Sequence, residues 1–349
     1  MNGLRYCLIG CGRVSPSHVT AAKNNGLDIC ALCDSDPSAV GDNLNGAGVE
    51  GIPLFSDYHD MLREVKPDLV AIATPSGLHA QMALDCMAAG ANVIIEKPMA
   101  MSMADAHKVA EMAERTGLTV GVNLQNRFNP VSQELRRAVE AGRFGRIYSA
   151  GLRLCWHRGQ DYYDQAAWRG TKALDGGAMM NQSIHGIDLL NWMMNSSPEA
   201  ITAFTGTLAR DIEAEDIGMA LLRYPGGALA SLECTTLRYP GASQGILEIN
   251  GERGCVRLGG TAAHVVEVWR FDDAAPGEED DMRARYGVNP KSVYGHGHSK
   301  HYADVLEAIA NGRKPLVDAR EGMKALEIIL GAYESAAEGR PVVFPLPKT

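Results

Sequence analysis

Tyr6-Cys7-Leu8-Ile9-Gly10-Cys11-Gly12 is a short apolar run that ends on two glycines spaced by one residue. Such a run reads as a buried strand, and Gly-x-Gly at its exit suits the turn that opens a dinucleotide-binding βαβ unit. Gly10 permits the tight turn. Gly12 lets backbone amides approach a pyrophosphate at the N-terminus of the following helix, with Arg13 and Val14 expected alongside. Ser15 stands where the third fingerprint glycine belongs, so the motif by itself is equally a plain turn.

Repetition extends the reading. Strand-like runs recur at 29–33, 69–73, 92–95 and 118–122, separated by amphipathic helical patterns, the grammar of parallel βαβ units. Asp34 closes the second run at the place of the ribose-binding acid. A carboxylate there accepts from both ribose hydroxyls and repels a 2′-phosphate, so NAD is expected over NADP; a strand-end cap before Ser35-Asp36-Pro37 is the alternative. Thr74-Pro75-Ser76 with His79, then Glu96-Lys97 and Gln125, fall on the same carboxyl edge, where ligands collect in open α/β sheets. They complete the expected cofactor contacts. Ser102 can cap a helix whose third position is Asp105, with Gly117 at its exit and Gly90 closing the helix before it.

After about residue 123 the pattern changes. A helical stretch at 130–141 and an alternating run at 147–154 precede paired runs at 219–224, 229–236, 246–249, 255–258 and 265–271. Pro225-Gly226-Gly227 and Asn250-Gly251 mark turns between them. The expectation is an α/β chain: an N-terminal Rossmann domain over 1–123, and over 124–349 an α+β domain with a large, mostly antiparallel sheet, whose final helices can pack back on the first domain. The acidic stretch 272–281 reads as a solvated loop, and helices are expected at 300–310 and 320–337.

Bulk properties narrow the function. The 349 residues are 46% hydrophobic and 21% charged, with a formal charge of −9. No basic excess exists to displace counterions from a nucleic acid, so none is expected as partner. No apolar stretch approaches the ~20 residues of a membrane span, so no membrane partner is expected. The N-terminus reads as a first strand and not as a signal peptide. Eight cysteines without scaffold spacing fit a reduced, cytoplasmic protein. Cys30 and Cys33 lie three apart on a strand and face opposite sides, which speaks against metal or dithiol chemistry.

Glu96-Lys97-Pro98 ends the run 92–95. A lysine at that edge is either a surface charge paired with Glu96 or a fixed cation beside the cofactor. Pro98 biases Lys97 toward extended backbone and permits a cis bond between them.

With these residues in place, the chain resembles the Gfo/Idh/MocA family over nearly its whole length. Gly-x-Gly, Glu-Lys-Pro and the segment Asp175-Gly176-Gly177-Ala178-Met179-Met180-Asn181-Gln182-Ser183-Ile184-His185-Gly186-Ile187-Asp188 carry the likeness. The resemblance implies a nicotinamide-dependent sugar or polyol oxidoreductase, with Lys97 and His185 as catalytic residues and NAD as cofactor. Many members carry aspartate four residues before the histidine. Here Asn181 stands there, and an amide can orient a hydroxyl but cannot shuttle a proton. Spacing of i,i+4 on a helix would turn Asn181 and His185 to one side.

The finer resemblance is to the WlbA/WbpB-type UDP-N-acetylglucosaminuronate 3-dehydrogenases, on Gln125-Asn126-Arg127-Phe128-Asn129-Pro130, Tyr162-Tyr163-Asp164-Gln165, Trp168-Arg169-Gly170-Thr171 and Met180-Asn181-Gln182. It implies oxidation of the sugar C3 hydroxyl of an anionic nucleotide sugar. Arg127, Arg158 and Arg169 are then candidates for its anionic groups, Tyr163 or Tyr162 for stacking, and Asn181 and His185 for the sugar. An imidazole's ordinary pKa near 6.5 suits proton acceptance, while Lys97 is an oxyanion donor or, alternatively, the base. The family also implies a homodimer or homotetramer. An inositol or aldose dehydrogenase and a non-catalytic cofactor-binding regulator are the competing readings. His296, His298 and His301 have ligand-like spacing but sit in a glycine-rich segment without a nearby acid; no metal is expected, and helix capping near Ser299 or approach to substrate is the preferred reading. His18 is expected as cofactor-side packing.

Overall fold

The computed structural model describes residues 3–288 and 297–348. The chain divides into two compact units, residues 1–125 with 296–323 and 348–349, and residues 126–295 with 324–347. The segment that includes the helix Gly297–Asn311 groups with the first unit. His296 lies outside the described residues.

In the first unit the short apolar runs form β1 (Arg5–Ile9), β2 (Asp28–Cys33), β3 (Leu54–Phe55), β4 (Leu69–Ile72), β5 (Asn92–Ile95) and β6 (Val120–Val122). All pair in parallel, in the order β3-β2-β1-β4-β5-β6. Every residue of β4 is buried, as expected of a parallel strand covered on both faces. Tyr6, Leu8, Leu69, Ala71 and Ile94 share a core with Val19 and with Tyr302 and Val305 of the returning helix. Each large apolar side chain so buried contributes about 1.5–3 kcal/mol, an upper bound because the unfolded chain is partly compact. The helix Met103–Thr116 starts where Ser102 accepts from the Asp105 amide at 3.1 Å and ends on Gly117, whose φ is 71°. β3 is two residues long, too short for any periodic signal.

The second unit holds β7 (Ile147–Cys155), β8 (Ala200–Gly206), β9 (Ile217–Arg223), β10 (Leu229–Thr235), β11 (Gln244–Gly251), β12 (Gly254–Gly259), β13 (Val265–Phe271) and β14 (Val342–Val343). They form one sheet in the order β13-β12-β11-β7-β10-β9-β8-β14. Only β7 and β10 pair in parallel, at its centre. One face buries Ile201, Ala203, Ala220, Leu222, Ala230, Leu232, Ala150 and Leu152. On the other face Phe204 and Met219 are cross-strand partners, and with Leu221, Leu229 and Val343 they leave an exposed apolar surface.

Two local expectations are corrected. β11 runs through Asn250-Gly251 with a register shift there, and Glu252-Arg253 makes the connection to β12. The acidic stretch is not simply a loop, because Glu278–Tyr286 is helical. Its first turn carries Glu278, Glu279, Asp280 and Asp281, where negative charge favours the helix dipole. Glu278 also receives Arg143 at 2.6 Å and the Trp269 indole N–H at 2.8 Å, and the Arg143 hydrogen bond leads in pulling its pKa down to about 2. Only Met282 of this helix is buried, so no apolar period marked it.

Candidate active site

The strand order places the exits of β1 and β4 side by side at the topological switch point. Gly10 has φ of 94°, and a Cβ there would lie 2.5 Å from the Ala73 carbonyl, so only glycine fits. Gly12 is the opposite case. A Cβ on it would meet no protein atom within 4 Å, so packing within the chain does not require glycine, whereas close approach of a dinucleotide does. The helix Ser15–Asn24 has no acidic residue in its first turn, which suits an anion at its positive end. Arg13 is exposed and Val14 half-buried at this turn. Asp34 accepts from the Cys11 amide at 2.7 Å and the Asp36 amide at 2.9 Å. It is thus a cap, and a carboxylate with about four acceptor positions still has capacity for a ribose diol. These residues fit a dinucleotide. Thr74, Pro75 and Ser76 leave β4 on the same edge, and Gln125 follows β6, buried.

Lys97 is half-buried at the exit of β5, and the bond to Pro98 is cis. Two of the residues expected at the cofactor have partners within the chain. Glu96 is only 7% exposed. Its carboxylate meets His18 Nε2 at 3.0 Å, accepts from the Asn123 side-chain amide and takes the backbone N–H of Lys97 at 3.2 Å. Burial works to raise the Glu96 pKa, but the His18 hydrogen bond and the surrounding positive charge hold it well below the usual carboxylate range. Glu96 therefore supports the Lys97 backbone. His79 is likewise buried, with Nδ1 2.7 Å from the Pro98 carbonyl and Nε2 2.8 Å from that of Thr74. It braces two strand exits, and burial pushes its pKa down.

His18 extends this network, with Nδ1 2.7 Å from the Tyr302 hydroxyl, itself 3.0 Å from that of Tyr6. It is 0% exposed, held by polar partners and not by apolar packing. His298 and His301 lie buried on the helix Gly297–Asn311, where burial pushes their pKa values down to about 4 and about 3. His18, Glu96 and His298 bring donor atoms within 4.8 Å of one another. The His18–Glu96 pair is already closed at hydrogen-bond distance, so the trio reads as a polar network.

In the second unit Ala178–Ser183 winds as a π-helix and continues as the α-helix Ile184–Met194. Asn181 lies on the π turn and His185 on the first α turn, so the simple i,i+4 relation of an α-helix does not describe them; such π turns are frequent at functional sites. Glu215 starts the segment. Its carbonyl accepts from the Ala178 amide at 2.8 Å, and its carboxylate accepts from the Met179 amide at 2.8 Å and the Tyr333 hydroxyl at 2.9 Å. Burial raises the Glu215 pKa. Gly186 lets the helix approach β7, since a Cβ there would lie 2.5 Å from a Leu154 methyl. The half-buried His185 is positioned by that contact.

Arg158 and Arg169 flank Tyr162. Their guanidinium carbons lie 5.0 and 4.6 Å from its ring centre, with Trp156 5.3 Å from Arg158 and Trp168 4.5 Å from Arg169. Arg169 donates to the Tyr162 hydroxyl at 2.8 Å, Gln182 to the same hydroxyl at 3.1 Å, and Arg158 to Gln182 Oε1 at 3.1 Å. The ladder is half-buried, so its cations are desolvated enough for strong anion pairing. Tyr163 is corrected: it is 5% exposed, and its hydroxyl donates to Thr236 at 3.3 Å, so Tyr162 is the tyrosine of the ladder. Arg127 is corrected as well. It is 1% exposed and forms a two-pronged bond to buried Asp188, at 2.8 and 2.6 Å. That pair ties the start of the unit to the helix carrying His185. The roles of Glu215, Trp156 and Asp175 were missed. Glu215 and Trp156 lie in no local motif and are brought in by tertiary contacts, whereas Asp175 opens the quoted segment 175–188, whose pattern does not announce its bond to Asn181.

The chain is similar to known proteins in both units. Residues 4–124 match a family described as an oxidoreductase family with an NAD-binding Rossmann fold, and residues 132–257 match the GFO/IDH/MocA C-terminal domain. A WlbA dehydrogenase from Bordetella pertussis, solved in complex with NADH and UDP-GlcNAcA, is 37% identical over 99% of this chain and 100% of its own, with a TM-score of 0.89. A D-apiose dehydrogenase of Paraburkholderia graminis is 26% identical over 96% of this chain and 88% of its own. A myo-inositol 2-dehydrogenase of Thermotoga maritima is 23% identical over 97% and 98%.

Proposed function

This chain belongs to the Gfo/Idh/MocA family of NAD-dependent sugar and polyol oxidoreductases, and on that premise we propose that its substrate is a UDP-N-acetylglucosaminuronate-like nucleotide sugar, oxidised at the C3 hydroxyl. The observation that carries the reading is the Arg158–Tyr162–Arg169 ladder beside Gln182 and Asn181. A neutral polyol has little use for two guanidinium groups, whereas a uronate and a diphosphate supply bidentate partners for both. The likeness to a dehydrogenase solved with UDP-GlcNAcA supports the same reading.

The turn of Gly10 and Gly12 with Asp34 would hold NAD, which would supply the hydride acceptor for C3. The residues of this chain handle the proton and the charge. His185 takes the proton of the C3 hydroxyl as the carbonyl forms, and Lys97 donates to the same oxygen. Asn181 orients the sugar by hydrogen bonds without taking a proton. Glu96, His18 and Asn123 fix the backbone from which Lys97 projects.

The test is NADH formation with a panel of UDP-sugars, UDP-uronates, inositols and free aldoses. Turnover confined to the UDP-uronates is expected. Turnover confined to free polyols would overturn the reading and favour the activities named for the inositol and apiose relatives. Within the same assay Arg169→Met is expected to raise KM for the nucleotide sugar by about 10- to 100-fold, the scale of a lost charged hydrogen bond, with KM for NAD unchanged. Equal effects on both KM values would place Arg169 outside the substrate site.

Phe204, Met219, Leu221 and Leu229 form an exposed apolar face of the kind that marks an interaction surface, and we propose that a second copy of the chain covers it. Leu221→Glu is expected to shift the protein to monomer in analytical ultracentrifugation. A parent protein already monomeric at micromolar concentration would contradict this.

A further inference from the structure

One chain of hydrogen bonds in the second unit has both of its ends fixed as donors. At one end Arg158 Nε donates to Gln182 Oε1 at 3.1 Å. Gln182 Nε2 donates to Asn181 Oδ1 at 3.1 Å, and Asn181 Nδ2 donates to Asp175 Oδ1. At the other end the Gly170 amide donates to Asp175 Oδ2 at 2.7 Å. A guanidinium and a backbone N–H can only donate. Each side-chain amide relays polarity by accepting on one side and donating on the other. A chain with a donor at both ends therefore needs one member that accepts from both sides, and Asp175, 1% exposed, is that member.

We propose that Asp175 is a positioning residue for Asn181, and that the pair displaces by six residues the acid many relatives carry at position 181. The carboxylate fixes the orientation of the Asn181 amide, directs its carbonyl toward Gln182 and ties that orientation to Arg158. The inference rests on the reading above for the role of Asn181 at the sugar, but its polarity argument does not depend on which sugar binds.

The polarity of the chain makes the effects of substitution distinct. Asn181→Asp alone sets two carboxylates against each other, so either a proton is held between them or the two side chains move apart. Asp175→Asn alone leaves three amides in series between two donors, so one buried bond is unmade. The exchange Asp175→Asn with Asn181→Asp restores the hydrogen bonds of this chain: residue 175 accepts from the Gly170 amide and donates to residue 181, which accepts from both sides.

The test is a cycle of the parent, the two single variants and the exchange, measured for kcat, KM and melting temperature. Each single variant is expected to lose about 10-fold or more in kcat, with KM for NAD unchanged, and the exchange to recover most of the loss, as residues in one network behave. An exchange that shows the product of the two single losses overturns the proposal, as does an Asn181→Asp protein as active as the parent. The melting-temperature cycle needs no substrate and is expected to show the same recovery. If the nucleotide-sugar reading is wrong, UDP-uronates are not turned over but the melting cycle still closes; if this proposal is wrong, the cycle is additive whatever the substrate.

Discussion

Replacing His185 by asparagine is expected to lower kcat by about 10²- to 10⁴-fold, the range for removal of a general base, while the dissociation constant for NAD stays within about twofold, well inside one factor of ten or 1.4 kcal/mol. The split follows from the placement of the residue. His185 belongs to the second unit, on the helix Ile184–Met194, and the dinucleotide turn of Gly10 and Gly12 belongs to the first. Asparagine keeps a polar side chain of similar reach, so the Gly186 contact with β7 and the fold survive. Stopped-flow turnover and NAD titration by fluorescence read the two quantities separately. A variant with unchanged kcat would remove His185 from the chemistry.

Lys97→Met is expected to reduce kcat by about 10²- to 10³-fold, the cost of losing one preorganised donor to a developing oxyanion. Arginine is not expected to restore it, because a planar guanidinium does not place a point charge where an ammonium does. The site invests much structure in this one cation. Glu96 accepts the Lys97 amide and is itself held by His18 and Asn123, and His79 ties Pro98 to Thr74. A Lys97→Met protein that retained turnover but lost NAD affinity would make the lysine a cofactor residue only.

Much of this was legible in the chain because it depends on local chemistry. Gly10 is marked by the positive φ its turn requires, and Ser102, Asp105 and Gly117 announce a helix through caps that act within one turn. Strands β4 and β5 announce themselves by unbroken apolar runs. The helix Glu278–Tyr286 was not legible, since its stabilisation comes from a dipole, from Trp269 on the preceding strand and from Arg143, distant in sequence. Arg127 and Tyr163 show the same limit at the site. Their residue types suit anion binding and stacking, but burial and the partners Asp188 and Thr236 commit them elsewhere. Conversely, Asn181 looks like the loss of an acid when read in its own motif. The carboxylate lies six residues upstream at Asp175, and a hydrogen bond joins the two.

The central claim is that hydride leaves C3 of a UDP-N-acetylglucosaminuronate for NAD. The most direct measurement is mass spectrometry of the NADH formed from that substrate carrying deuterium at C3. One deuterium per NADH is the expected result. Unlabelled NADH, or no NADH from this substrate while free polyols are oxidised, would contradict the account.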